Sequence, residues 1–149
     1  MTSPTPFLTW RLRAFSDHSA AEWHEILVLR TAVFVVEQAC VYQDPDGLDP
    51  GAHHLSGYRG ATLVAYARFY PEEGHLRLGR VVTAPAVRGQ GVGRALLSEL
   101  LRHVGDRETF LHAQTYLVPF YQSYGFVTEG AEFPEDGIPH IAMRRPGGA

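Results

Sequence analysis

The chain contains no lysine and no asparagine, and it has a single cysteine, Cys40. Each absence excludes something. One cysteine cannot form an internal disulfide, which fits a reducing compartment. Without asparagine there is no N-glycosylation acceptor. No stretch approaches the ~20 apolar residues of a membrane span. The opening MTSPTPF has neither the basic region nor the apolar run of a signal peptide, so a cytoplasmic location is expected. The net charge of −3 gives no general attraction to nucleic acid or to an anionic membrane, and neither is expected as a partner. The 149 residues are 45% hydrophobic and 19% charged, the range of an ordinary globular protein. That length is one domain by prior, spanning residues 1–149, and can bury a proper core.

What the chain does have is concentrated in Val81 to Leu97, VVTAPAVRGQGVGRALL. Val81 and Val82 end a β-branched strand. Thr83 to Val87 is a short connection punctuated by Pro85. The turn Arg88-Gly89-Gln90-Gly91-Val92-Gly93 then enters the amphipathic pattern of Ala95, Leu96, Leu97, Leu100 and Leu101. The first turn of any helix leaves backbone N–H groups without internal acceptors. They point the same way as the positive end of the helix dipole, so the turn suits an anion. Arg88 and Arg94 flank it. A P-loop would need G-x-x-x-x-G-K-[ST], which is absent. A dinucleotide fingerprint would need a third glycine where Arg94 stands.

In chain order, Met1 to Pro6 reads as a loose leader. Leu8, Trp10, Leu12 and Ala14 alternate with polar residues, the period of a half-buried strand. Ser19 and Glu22 make a capping box for a helix from about Ala20 to Val36. Val41 to Gly51 carries two Asp-Pro pairs and an Asp-Gly, and is expected to be a solvated acidic loop near a substrate entrance. It lacks the spacing of a calcium loop. Strands are expected over His54 to Tyr58, Thr62 to Tyr70 and His75 to Val82. His53 and His54, adjacent on a strand, would face opposite sides and make a poor chelating pair. Gly93 to Val104 is a helix ended by Gly105. Then follow a strand Thr109 to Ala113, a short helix Val118 to Tyr124, a strand Phe126 to Thr128, an acidic loop Glu129 to Gly137 and a last strand Ile138 to Met143. The order β-α-β-β-β-α-β-α-β-β, without repeat or linker, indicates one mixed α/β domain. No metal is expected.

The string Arg88-x-x-Gly91-x-Gly93 after a β-branched strand resembles the pyrophosphate loop of the GNAT superfamily of acyl-CoA N-acyltransferases. Tyr121-Gln-Ser-Tyr124-Gly125-Phe126 resembles that superfamily's C-terminal motif, in which the glycine ends a short helix and the aromatic returns to the core. Leu29–Gln38, Val41–Gly47, Gly79–Val82 and Glu135–Met143 extend the similarity to the ElaA-like branch over most of the chain. The resemblance implies a central mixed, mostly antiparallel sheet with helices on both faces. It implies acetyl-CoA as co-substrate, an amine acceptor, and a monomer or homodimer. The chain has no lysine of its own to acylate.

By this resemblance, Val81, Val82 and Thr83 pair their backbone with the pantetheine arm. The loop Arg88, Gly89, Gln90, Gly91, Val92, Gly93 and Arg94 holds the pyrophosphate. A backbone N–H near Val82 stabilises the oxyanion, and Tyr121 protonates the departing thiolate. Tyr124 is expected to pack. Many relatives carry a Glu on the fourth strand as base, and His75-Leu-Arg-Leu-Gly-Arg80 has none. Glu37 is the first candidate base, with His112, His140 or a water chain as alternatives. Arg30, Gln38, Arg80 and Gln114 are candidate acceptor-site residues. An arginine there would suit a substrate carboxylate through bidentate pairing. Two other readings stay open: a non-catalytic acyl-CoA-binding module, and an acyl-homoserine-lactone-type synthase suggested by Arg30 with Val33-Phe34.

Overall fold

The computed structural model describes residues 7–148, and the expected leader lies outside them. The strands are β1 (Thr9–Ala14), β2 (His53–Arg59), β3 (Thr62–Glu72), β4 (His75–Thr83), β5 (Thr109–Gln114), β6 (Val127–Glu135) and β7 (Ile138–Arg145). The helices are α1 (Ala20–Arg30), continued by a π-helix (Thr31–Glu37), α2 (Val92–Val104) and α3 (Val118–Gln122). Among the described residues no helix is long and apolar enough to cross a membrane.

The seven strands form one sheet in the order β1-β2-β3-β4-β5-β7-β6. Every pairing is antiparallel except β4 with β5. That exception follows from the chain path, because α2 carries the chain over the sheet between them. Alternate residues of β3 serve two layers. Tyr66 joins Ile26, Leu29 and Val33 beneath α1 and the π-helix. Ala65, Ala67 and Phe69 join Leu96, Leu97 and Leu100 beneath α2. The mixed sheet with helices on both faces is therefore as expected.

Local signals explain the element ends. Ser19 Oγ accepts from the Glu22 amide at 3.1 Å, and Glu22 Oε1 accepts from the Ser19 amide at 2.8 Å, the expected capping box. The helix that follows does not stay α to Val36. After Arg30 the chain widens into a π-helix, with Gln38 N–H to Val33 O at 3.1 Å and Cys40 N–H to Val35 O at 3.0 Å, each five residues back. Thr31, Val33, Val35 and Val36 are β-branched, and such residues favour the α form weakly.

Of the two expected acidic loops, one is largely a strand and the other is a loop with a buried side. Most of Glu129 to Gly137 is β6, with only the turn at Asp136 and Gly137 left out. This edge strand is exposed through most of its length, so it lacks the alternation that signals burial. A register shift between Glu129 and Phe133 blurs the pattern further. The Val41 to Gly51 segment is a largely exposed loop, as expected, but it turns Asp44 and Asp49 inward, to only 2% and 3% exposed.

Candidate functional site

β4 and β5 pair only at Leu76 with Thr109 and Arg77 with Phe110. Beyond that point they diverge, and the gap opens a cleft of about 560 Å³. Its walls come from the π-helix, β4, β5, α3 and the β6–β7 hairpin. β4 is bulged within it. Gly79 pairs with Arg68 and Val82 with Tyr66, so Arg80 and Val81 together oppose the one residue Ala67. Arg80 takes φ +51°, a conformation costly for a side chain with a Cβ. The bulge takes a residue of β4 out of the ladder beside the cleft. Val81, Val82 and Thr83 all line this wall.

The glycine loop follows. Gly89 and Gly91 sit at φ +77° and +82°, and Gly91 is the N-cap of α2. The first recorded bond of the helix runs from Ala95 N–H to Gly91 O at 3.0 Å, so the amides of Val92, Gly93 and Arg94 precede it. The loop's side chains do different things. Arg88 and Gly93 face the cleft. Val92 is buried in the core, leaving only its backbone for a ligand. Gln90 accepts from Arg59 Nη2 at 2.6 Å, outside the cleft wall. The Arg94 guanidinium lies 6.0 Å from the Phe120 ring and 5.7 Å from that of Tyr124.

Tyr121 lies in the opposite wall, 6% exposed. Phe126 N–H donates to its carbonyl at 3.3 Å, closing the turn through Gly125. Burial raises its phenol above the ordinary range, so the hydroxyl stays protonated. Tyr124 packs, as expected, with its hydroxyl donating to Arg94 O at 3.0 Å.

Two candidate residues are committed elsewhere. Glu37 lines the cleft, but Arg88 donates to both of its oxygens at 2.6 Å. Those hydrogen bonds hold its carboxyl below the usual range, which makes it a poor proton acceptor. Arg30 does not reach the cleft at all. It is fully buried, with Nε donating to Asp44 at 2.7 Å, Nη1 to Asp49 at 2.9 Å and Nη2 to the Asp44 carbonyl at 2.8 Å. Its acceptor-site role is therefore corrected to a structural one. The fully buried position on α1 faces the sheet, and the loop expected in solvent folds back to neutralise it.

Arg68 extends this network. It donates to Asp46 and to Asp49, at 2.7 Å each. Arg80 lies 3.0 Å from Asp44 and donates to Asp46 at 3.2 Å. Three arginines thus balance three aspartates. Arg80 does line the cleft, yet its charge is already matched. Gln38 and Gln114 both face the cleft and touch each other at 3.4 Å.

The far end of the cleft brings the two alternative base candidates, His112 and His140, together with Glu135, which the sequence does not single out. Glu135 ends β6. It lies 2.9 Å from His112 Nδ1 and 3.5 Å from His140 Nε2. Arg77 Nη2 is 3.0 Å from that same His112 nitrogen. His140 Nδ1 faces the Ile138 carbonyl at 2.7 Å. The Glu135-Asp136-Gly137 turn was a signal for a hairpin, but nothing in the sequence paired it with His112.

A model of the acetyltransferase (GNAT) domain matches residues 13–146. Protein ElaA of Escherichia coli K12 is 42% identical over 147 residues, 93% of this chain and 96% of that protein. Among solved structures, an acyl-CoA N-acyltransferase from Pseudomonas aeruginosa is 42% identical, with a TM-score of 0.89 over 93% of this chain and 99% of that one. The structure of Escherichia coli ElaA has a TM-score of 0.86 at 39% identity, over the same shares of the two chains.

Proposed function

The chain belongs to the GNAT acetyltransferase family, in its ElaA-like branch, and from that premise we propose that it is a single-domain N-acetyltransferase moving an acetyl group from acetyl-CoA to the amine of a small molecule or peptide. One observation carries the reading. The glycine loop and Tyr121 face the same cleft between the diverging strands β4 and β5.

In this reading the amides of Gly91 to Arg94 and the α2 dipole hold the pyrophosphate, with Arg88 exchanging Glu37 for it. The backbone of Val81, Val82 and Thr83 guides the pantetheine arm. The bulge at Arg80 and Val81 frees an N–H near Val82 for the carbonyl oxygen, whose charge grows as the amine attacks. Tyr121 donates its proton to the departing sulfur. A buried phenol is a weak acid, but a thiolate forming in the same dry wall is correspondingly basic. Gln38, Arg80 and Gln114 border the acceptor. Arg30 and Arg80 are neutralised internally, so the argument from a free arginine to an acidic acceptor lapses.

The test is coenzyme A release from acetyl-CoA with a panel of amines, for the wild type and Tyr121→Phe. Turnover with one amine class, falling by ~10²-fold or more in the variant with acetyl-CoA affinity kept, is the expected result. Acetyl-CoA binding without turnover on any amine would favour the binding module instead.

A further inference from the structure

His112 Nδ1 has two claimants, and it can satisfy only one. Glu135 Oε1 at 2.9 Å needs a proton on that nitrogen. Arg77 Nη2 at 3.0 Å needs a lone pair there, because a guanidinium only donates. The choice decides what the other ring nitrogen does. With the proton on Nδ1 and Glu135 accepting it, Nε2 carries a free lone pair. With Arg77 donating to Nδ1, neutral imidazole must carry its proton on Nε2 and can accept nothing there.

The location gives this choice a use. His112 stands on β5 just past the last β4–β5 pair, Arg77 with Phe110, where the strands begin to part. Its side chain is half-buried, on the face away from Leu111 and Ala113, which are in the core beneath α2. It lines the same cleft as the bulge and Tyr121. The groups facing it are Arg77 from β4, Glu135 from β6 and His140 from β7, with Glu72 behind Arg77 at 3.5 Å. Phe110 and Phe133 enclose the ring, the latter with centroids 4.9 Å apart.

We propose that His112 is the proton acceptor for the amine, that Glu135 is the positioning residue that sets its productive tautomer, and that Arg77 stabilises the unproductive one. This rests on the acetyltransferase reading above. An ammonium acceptor gives one proton to His112 Nε2, and Glu135 compensates the imidazolium that results. The freed nitrogen lone pair forms the C–N bond at the thioester carbon. The C–S bond breaks, and the sulfur takes the proton of Tyr121. The attacking nitrogen's second proton returns to the phenolate, and His112 sheds its own to solvent. Neutralised arginines and an accessible Glu135 favour a cationic amine over an acidic one.

The test uses the amine found by the panel and reads kcat/KM against pH. For His112→Ala a fall of ~10²-fold or more is expected, with acetyl-CoA affinity unchanged and partial rescue by added imidazole. Glu135→Gln removes the anion, so the acid limb should move to lower pH. Arg77→Leu removes the cation, so it should move to higher pH. A merely structural cluster would not give opposite shifts. Wild-type rates in His112→Ala, or an acid limb unmoved by both Glu135→Gln and Arg77→Leu, would overturn the proposal and leave the acetyltransferase reading intact. Where His112→Ala is insoluble, the other two variants decide. No transfer by the wild type would overturn both.

Discussion

Arg88 holds Glu37 by both carboxylate oxygens, so the first residue of the glycine loop is bound to the last residue of the π-helix. The two were expected to serve different steps, one gripping phosphate and the other taking a proton. They instead neutralise each other across the mouth of the cleft. An exposed pair of this kind is weak and screened by salt, so an incoming phosphate can displace the carboxylate.

Removing the competitor should therefore tighten coenzyme A. Glu37→Gln is expected to lower its Kd several-fold at low ionic strength, with the gain shrinking as salt is added. Titration calorimetry of the two proteins at two salt concentrations checks it. An unchanged or higher Kd would show that Arg88 does not meet the ligand.

Arg30 should behave as a structural residue. Removing one member of a buried ion network leaves its partners' charge uncompensated, and Arg30→Met leaves Asp44, Asp46 and Asp49 with only Arg68 and Arg80 to balance them. A loss of about 3–5 kcal/mol is expected from urea denaturation, by the usual cost of such a break. The acceptor KM of whatever folded fraction remains should be unaltered. A stable variant with a raised KM would return Arg30 to the acceptor site.

Gly91 bears on both fold and ligand. At φ +82° a Cβ is strained, although nothing lies within 4 Å to meet it. Gly91→Ala should thus cost about 1–2 kcal/mol through the left-handed backbone alone. If the loop relaxes to escape that strain, its amides turn and coenzyme A binding weakens. Thermal melts with and without coenzyme A would separate the two effects, and an Ala variant equal to wild type in both would refute the argument.

The acid side of the stability curve should be set partly by His54. Burial pulls its imidazole down from 6.5 to about 4, despite a hydrogen bond to the Asp49 carbonyl. The unfolded chain then binds the proton first. His54 therefore contributes fully above pH 6.5, and its contribution falls as the pH drops from there towards 4. Burial alone would raise Asp46, but Arg68 holds it at about 2, so its own contribution is lost below its ordinary 3.8. Urea midpoints from pH 7 to 4 should decline, and His54→Phe should flatten that decline. An equal slope in the variant would remove His54 from the account.

Local signals made most of the fold readable. Ser19 and Glu22 announced α1, Gly105 ended α2, and Gly91 with Gly93 opened it, because each acts through its immediate neighbours. β3 was readable because it is covered on both sides, which leaves a continuous apolar run from Leu63 to Ala67. β6 beyond Thr128 was missed for the opposite reason, since an exposed edge strand has no buried face to imprint a pattern. The site divides along the same line. Arg88, Gly93 and Tyr121 belong to contiguous motifs and do line the cleft. Arg30 and the aspartates of the following loop looked like separate polar residues, because their pairing depends on how that loop returns to β3 and β4. The contact of Glu135 with His112 likewise joins two strands brought together only through β7.

The π-helix adds a different kind of constraint. It accommodates one more residue per hydrogen-bonded turn than an α-helix does. Removing a single residue between Thr31 and Val36 would let the segment revert to ordinary α winding, with better hydrogen bonds than before. It would also rotate and draw back everything downstream, carrying Glu37 off Arg88 and Gln38 off Gln114. Substitutions in this segment change one side chain each, whereas a one-residue deletion would swing a whole wall of the cleft out of register. Among natural variants, this stretch should tolerate changes of identity far better than changes of length.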